Sequence, residues 1–153
     1  MLVTYPLFAQ NPSTSEDPNV KKTIFVFNEL RSDNTHILDD YYASDVVFHD
    51  PVGIIRTIDK MKLYYQNMYN GVENVRFEFS NYAKQGDVYY FSWVMYLKTP
   101  KLNDSREFSV TGVSQIHFKD GYVYYHRDYF DLGEMVYERI PVFGWLTKKI
   151  TLS

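Results

Sequence analysis

The densest group of chemically able side chains is YYHRDYFD, residues 124–131. On a strand, alternation places Tyr124, His126, Asp128 and Phe130 on one face and Tyr125, Arg127, Tyr129 and Asp131 on the other. Neighbours on one face lie roughly 6.5–7 Å apart, so His126 and Asp128 can share a substrate or bond through one water. An acid and a base on one wall suffice to enolise a carbonyl compound or to open a strained ring. The second candidate is Asp50 in FHDPVG, where Pro51 turns the chain away. Val46, Phe48 and Asp50 share a face by the same alternation, so a buried Phe48 brings Asp50 to the rim of the same cavity. Aromatic walls would desolvate that carboxylate and strengthen it as a proton acceptor. The alternative for Asp50 is structural, an Asp that turns the chain through its own backbone.

Other chemistries find less support. There is no Cys, which removes thiolate zinc sites, disulfide frameworks and Cys nucleophiles. His126 and Asp128 with His49 or His117 could offer nitrogen and oxygen to a metal, but the spacing is undiagnostic and neither a metal nor another cofactor is expected. No phosphate loop, dinucleotide glycine fingerprint or nucleophile elbow occurs. Sixteen Lys and Arg against nineteen Asp and Glu give a net charge of -3, which argues against a nucleic-acid partner. No apolar run is long enough to cross a bilayer.

A single domain is expected over residues 17–150 of the 153, preceded by a loose arm at 1–16. That arm lacks the basic start and small-residue cleavage site of a signal peptide, and a cytoplasmic chain is expected. Asp17 and Pro18 read as N-cap and first position of a helix carrying Val20, Ile24, Phe27 and Leu30 on one stripe. A short second helix follows from Asn34 or Thr35, with Ile37, Leu38, Tyr41 and Tyr42 as its apolar side. After the strand VVFHDP, Thr57 opens a third helix, with Ile58, Met61, Tyr65 and Met68 inward and Asn70-Gly71 as its stop. Four strands follow at 75–84, 87–98, 106–118 and 122–130, with Asp120-Gly121 as a hairpin turn and Gly112 and Gly121 read as bend glycines. Helices placed before a meander predict an α+β domain with the helices on one face of a curved antiparallel sheet.

Fifteen Tyr, eleven Phe and two Trp make the chain unusually aromatic. In YYFSWVMYL both Tyr89, Phe91, Trp93, Met95, Leu97 and the alternate set Tyr90, Val94, Tyr96 are apolar, so both faces of that strand need cover. Three modest helices cover one face, which predicts a homodimer docked through the other, unless the C-terminal tail wraps over it. That tail, 132–150, reads as a helix broken at Pro141, with Ile140, Phe143 and Trp145 beside Lys148 and Lys149. Packing on the domain's own surface is expected of it, ahead of peripheral contact with an anionic membrane.

The order of these parts, with HDPVG at 49–53 and HRDYFDL at 126–132, resembles the nuclear-transport-factor-2-like superfamily over about residues 18–150. The similarity is greatest to its SnoaL-like polyketide cyclase, ketosteroid isomerase and limonene epoxide hydrolase branches. It implies a cone, a curved sheet wrapped on its helices around a deep apolar pocket for a small hydrophobic ligand, commonly dimerising through the sheet. Phe48, Trp93, Met95, Tyr124 and Phe130 would line that pocket. EDPVG holds the catalytic base of the isomerases, which implies a base at Asp50. WRDYFDL holds a catalytic Asp of the epoxide hydrolases, and an Asp of the cyclases' last strand serves as acid/base, which implies Asp128 with His126 beside it. The isomerases' oxyanion-hole positions fall near Val26 and Ser114, and the hydrolase's Arg and second Asp near Trp93 and Met95. Three functions follow as expectations: a cofactor-free isomerase or cyclase acting on a carbonyl compound, a non-catalytic ligand-binding or assembly module, and an epoxide hydrolase-like enzyme.

Overall fold

The chain's structure is a computed structural model that describes residues 9–136. Asp17 accepts the backbone N–H of Asn19 at 2.9 Å and Pro18 supplies a pre-set φ, so helix α1 (Pro18–Glu29) starts where expected. It buries Val20, Thr23, Val26 and Phe27. A 3₁₀ turn at Thr35–Asp40 replaces the expected second helix, and Tyr42 belongs instead to strand β1 (Tyr42–His49). A short strand β2 (Ile54–Arg56), not anticipated, folds back on β1 before helix α2 (Ile58–Met68). Then come β3 (Asn74–Gln85), β4 (Val88–Lys98), β5 (Phe108–Lys119), β6 (Tyr122–Phe130) and a short α3 (Leu132–Val136). The remainder of the expected tail, with Pro141, Trp145 and the lysine pair, lies outside the described residues.

The sheet order is β2-β1-β6-β5-β4-β3, antiparallel except for β1 beside β6, which run parallel. That parallel pair brings the first and last long strands among the described residues together. Register then stacks side chains into cross-strand rows on the inner face. Phe48, His126, Ile116 and Tyr89 form one row, Asp128, Ser114 and Phe91 the next, and Phe130, Gly112 and Trp93 a third.

Rings fill the space between helices and sheet: Phe27 meets Phe77 edge-on at 5.0 Å and Phe79 at 5.4 Å, and Phe77 meets Trp93 at 5.4 Å. Gly112, read from sequence as a bend glycine, sits inside β5 for a different reason. A Cβ there would lie 2.3 Å from the Trp93 ring, so only glycine lets the indole lie against the strand. The nearer part of the arm is anchored: Gln10 and Tyr82 exchange backbone hydrogen bonds at 2.9 Å, and the Tyr82 hydroxyl donates to Gln10 Oε1 at 2.8 Å. No helix among the described residues is long and apolar enough to cross a membrane.

Candidate functional site

Asp128 is reached from β5 and from within its own strand. Ser114, opposite it in register, donates to Asp128 Oδ1 at 2.5 Å, and His126 Nε2 lies 2.7 Å from the same oxygen. Trp93 Nε1 can only donate, and does so to Ser114 Oγ at 2.8 Å, which turns the serine proton toward the carboxylate. An ionised Asp128 can only accept, so His126 carries its proton on Nε2. Its Nδ1 is then free to accept from the Tyr42 hydroxyl at 2.7 Å. Burial, followed by neighbouring Tyr41 and the charge of Asp128, pushes the Tyr42 phenol well above its ordinary value, so Tyr42 remains a donor. The chain Tyr42, His126, Asp128, Ser114, Trp93 is thus a directed string of hydrogen bonds that fixes one carboxylate oxygen. Oδ2 of Asp128 has no hydrogen-bond partner among the described residues.

His126 is 1% exposed and is walled by Phe48, edge-on at 5.0 Å, and by Tyr42, stacked at 6.0 Å. It stands behind Asp128 and orients it, and both its ring nitrogens are occupied. The metal considered from sequence therefore has no His126 nitrogen to take. Among the described residues no cluster of three or more His, Asp or Glu could hold an ion.

Asp50 is 6% exposed at the end of β1. Its Oδ1 accepts the N–H groups of Val52 at 2.8 Å and Gly53 at 2.9 Å, the turn-making role weighed above. Oδ2 accepts the Tyr64 hydroxyl at 2.7 Å, which comes from α2. Desolvation, then the charge of Asp50 and its hydrogen bond, then Asp128, hold the Tyr64 phenol well above its usual range. Both acids are thus felt by one buried hydroxyl, which keeps its proton.

Asp50 and Asp128 border one cleft of about 520 Å³, with His49, Pro51, Arg127, Tyr129 and Phe130. It opens where β1 leaves the sheet beyond His49 and β6 continues. Of the side chains expected around a ligand, Phe130 lines this cleft. Phe48 and Trp93 are buried behind it, 2% and 3% exposed, as supports for His126 and Ser114. Met95 pairs with Val110, one inward row beyond Phe130, and packs against the core. Tyr124 is displaced: a bulge pairs His117 with Tyr125 and Phe118 with Val123, so Val123 turns inward and Tyr124, 42% exposed, turns out. Strict alternation fails there by one residue.

Ser114, Tyr42 and Tyr64 are the site residues that sequence reasoning missed. Each is a common residue type whose role is made by a cross-strand or helix-to-loop contact, and only the position of Ser114 had been flagged, through the isomerase comparison.

A curved six-stranded sheet with helices across one face and two carboxylates at one end defines the class, an α+β cone with a site at the sheet's end. The chain belongs to the SnoaL-like domain family, whose pattern matches residues 26–126, and its fold is that of the nuclear-transport-factor-2-like superfamily. A SnoaL-like polyketide cyclase from Jannaschia sp. CCS1 is 14% identical with a TM-score of 0.68, covering 80% of this chain and 94% of that one. A protein of ketosteroid isomerase-like fold from Catenulispora acidiphila, solved with trimethylamine, is 15% identical at a TM-score of 0.67, covering 78% and 89%. An epoxide hydrolase of the limonene epoxide hydrolase-like (LEH-like) type from M. tuberculosis is 17% identical at 0.64, covering 76% and 85%. At these identities the likeness is one of fold. No curated protein matches the chain.

Proposed function

We propose that the chain binds a small, largely apolar carbonyl compound in the cleft and moves a proton on it, as an isomerase or cyclase working without a cofactor. The observation that carries this reading is the state of Asp128. One of its oxygens is locked by Ser114 and His126, while the other has no described partner in a residue that borders the cleft. A base held in one rotamer, with a lone pair to spare, is arranged for abstraction of a proton from carbon. Asp128 takes the proton beside the carbonyl and returns it to carbon, or the enolate carbon adds to a second carbonyl of the same molecule, breaking its C=O π bond, and Asp128 returns the proton to the new alkoxide oxygen. The name of the Jannaschia neighbour, a polyketide cyclase, fits this chemistry.

An epoxide hydrolase reading is weaker, because Trp93 and Met95 stand where that mechanism would have its Arg and second Asp. A binding module without chemistry is favoured by one observation: Asp50 Oδ1 spends its bonds on the turn at Val52 and Gly53. One experiment separates the readings. Wild-type protein and Asp128→Asn are incubated in deuterated buffer with a panel of enones, epoxides and polyketide-like ketones, and exchange and turnover are followed by NMR. Exchange by the wild type that falls about a hundredfold or more in the variant supports the base. Equal behaviour of the two proteins removes it.

A further inference from the structure

We propose that Arg127, stacked on Tyr129 beside His49 at the cleft rim, is a recognition site for a carboxylate on the substrate, so that the compound handled is a keto acid. The inference rests on the proton-transfer reading for the reaction, but its geometry is independent of that reading.

β6 passes the cleft with its side chains divided. Asp128 and Phe130 lie on the inner face and Arg127 and Tyr129 on the outer, while His49 is the register partner of Arg127 on β1. Because β1 ends there, a molecule in the cleft lies across the open edge of β6 and meets both faces at once. Acid groups are on one side of that edge and a guanidinium on the other.

Arg127 is held in place without being neutralised by any described residue. Its Cζ lies 4.7 Å from the centre of the Tyr129 ring. The Tyr129 hydroxyl donates to Gln115 Oε1 at 3.2 Å, and the Gln115 amide nitrogen is 2.8 Å from His117 Nε2. The amide nitrogen can only donate, so His117 Nε2 accepts from it, and burial pulls His117 below its ordinary value, which favours the neutral ring. The ring beneath the guanidinium is therefore tethered through two residues of β5. Among the described residues, Arg127 forms no ion pair, whereas Arg76 is joined to Glu78 and Glu107, and Arg106 to Asp104. A half-buried, oriented cation whose planar fork no described residue uses, on the wall of a cleft, matches a carboxylate geometrically.

Charge also sets the class and the orientation. One guanidinium balances one negative charge, while a dianionic phosphate would face the two nearby acids with a charge left over. Asp50 and Asp128 repel the substrate's carboxylate toward the Arg127 end. The neutral carbonyl end is left beside Asp128, which is the orientation that proton transfer requires.

The test uses the full chain and two probes, β-benzoylpropionate, a stable aromatic keto acid, and its methyl ester. Binding is measured by NMR titration and calorimetry at low salt, for wild type, Arg127→Gln, Arg127→Lys and Asp128→Asn. The wild type is expected to favour the acid over the ester by about tenfold or more. Arg127→Gln brings that ratio close to one with ester affinity unchanged, Arg127→Lys retains part of it, and Asp128→Asn retains or increases it. Equal affinity for acid and ester in the wild type, absence of binding of either, or a preference that survives Arg127→Gln overturns the proposal. Deuterium exchange at the carbon beside the ketone is read on the same samples. An Arg127-dependent preference with no exchange would leave the carboxylate site standing and remove the proton-transfer reading instead.

Discussion

Ser114 is the residue on which the geometry of Asp128 turns, because it accepts from Trp93 and donates to the carboxylate at once. Ser114→Ala removes the donor and leaves the Trp93 N–H buried without a partner, which costs about 1–3 kcal/mol. Chemical denaturation would read that loss, and a midpoint equal to wild type would show that the indole had found another acceptor. Gly112→Ala drives a methyl into the same indole and is expected to destabilise by about 1–3 kcal/mol or more, without touching either carboxylate. Asp50, His126 and Asp128 were legible at this scale because period-two alternation marks which side chains share a wall. Their partners were not. Tyr42, Tyr64 and Ser114 acquire roles from register and helix placement, which no local pattern encodes, and the single-residue bulge at Tyr124 inverts alternation without any glycine or proline to announce it.

Among the elements, α1 carries the most exposed test of local physics. Asp17 caps its first turn and also bonds Lys84 at 2.9 Å and Tyr89 at 2.7 Å, so one carboxylate ties the helix to the β3–β4 hairpin. Burial pushes this carboxyl up, but the hydrogen bonds from Lys84, Tyr89 and the Asn19 N–H, with the charge of Lys84, outweigh it and hold it below its ordinary 3.8. A depressed acid stabilises the fold fully above its unfolded value, and the contribution disappears as pH falls through the lower folded value. Asp17→Asn keeps the cap but not the charge, so its denaturation midpoint should converge on that of wild type as the pH is lowered below about 4. Asp17→Ala loses the cap as well, at about 1–2 kcal/mol. A constant difference between Asp17→Asn and wild type from neutral pH to acid would refute the assignment. This helix start was readable in advance since Asp-Pro is a purely local signal. The 3₁₀ turn at Thr35–Asp40 and strand β2 were not, because one depends on Tyr41 and Leu38 packing inward and the other on β1 being there to pair with.

For the whole molecule, the outer face of the sheet presents Tyr90 at 42% and Val113 at 36% exposure, with half-buried Val94 and Tyr96 alongside. Helices cover the opposite face, as the alternation in β4 predicted, and we propose that a second copy of the chain covers this one over β3 to β5, leaving Arg127 at the cleft end of β6 open. Sedimentation at micromolar concentration should give twice the chain mass, and Val113→Glu should return it to the monomer mass; a single-chain species for the wild type would refute the pairing. The α+β class and the meander were visible in sequence because each strand and turn is local. The parallel contact of β1 with β6 was not, since it joins segments some eighty residues apart, as in Phe48 with His126. That contact also governs when the site can come into being during synthesis. A nascent polypeptide that has left the ribosome only as far as β5 can pair β3 with β4 and β4 with β5, yet β1, and β2 which pairs with it, still lack the neighbour that places them in the sheet. The two carboxylates of the cleft are therefore brought together only once translation has carried β6 clear of the exit tunnel.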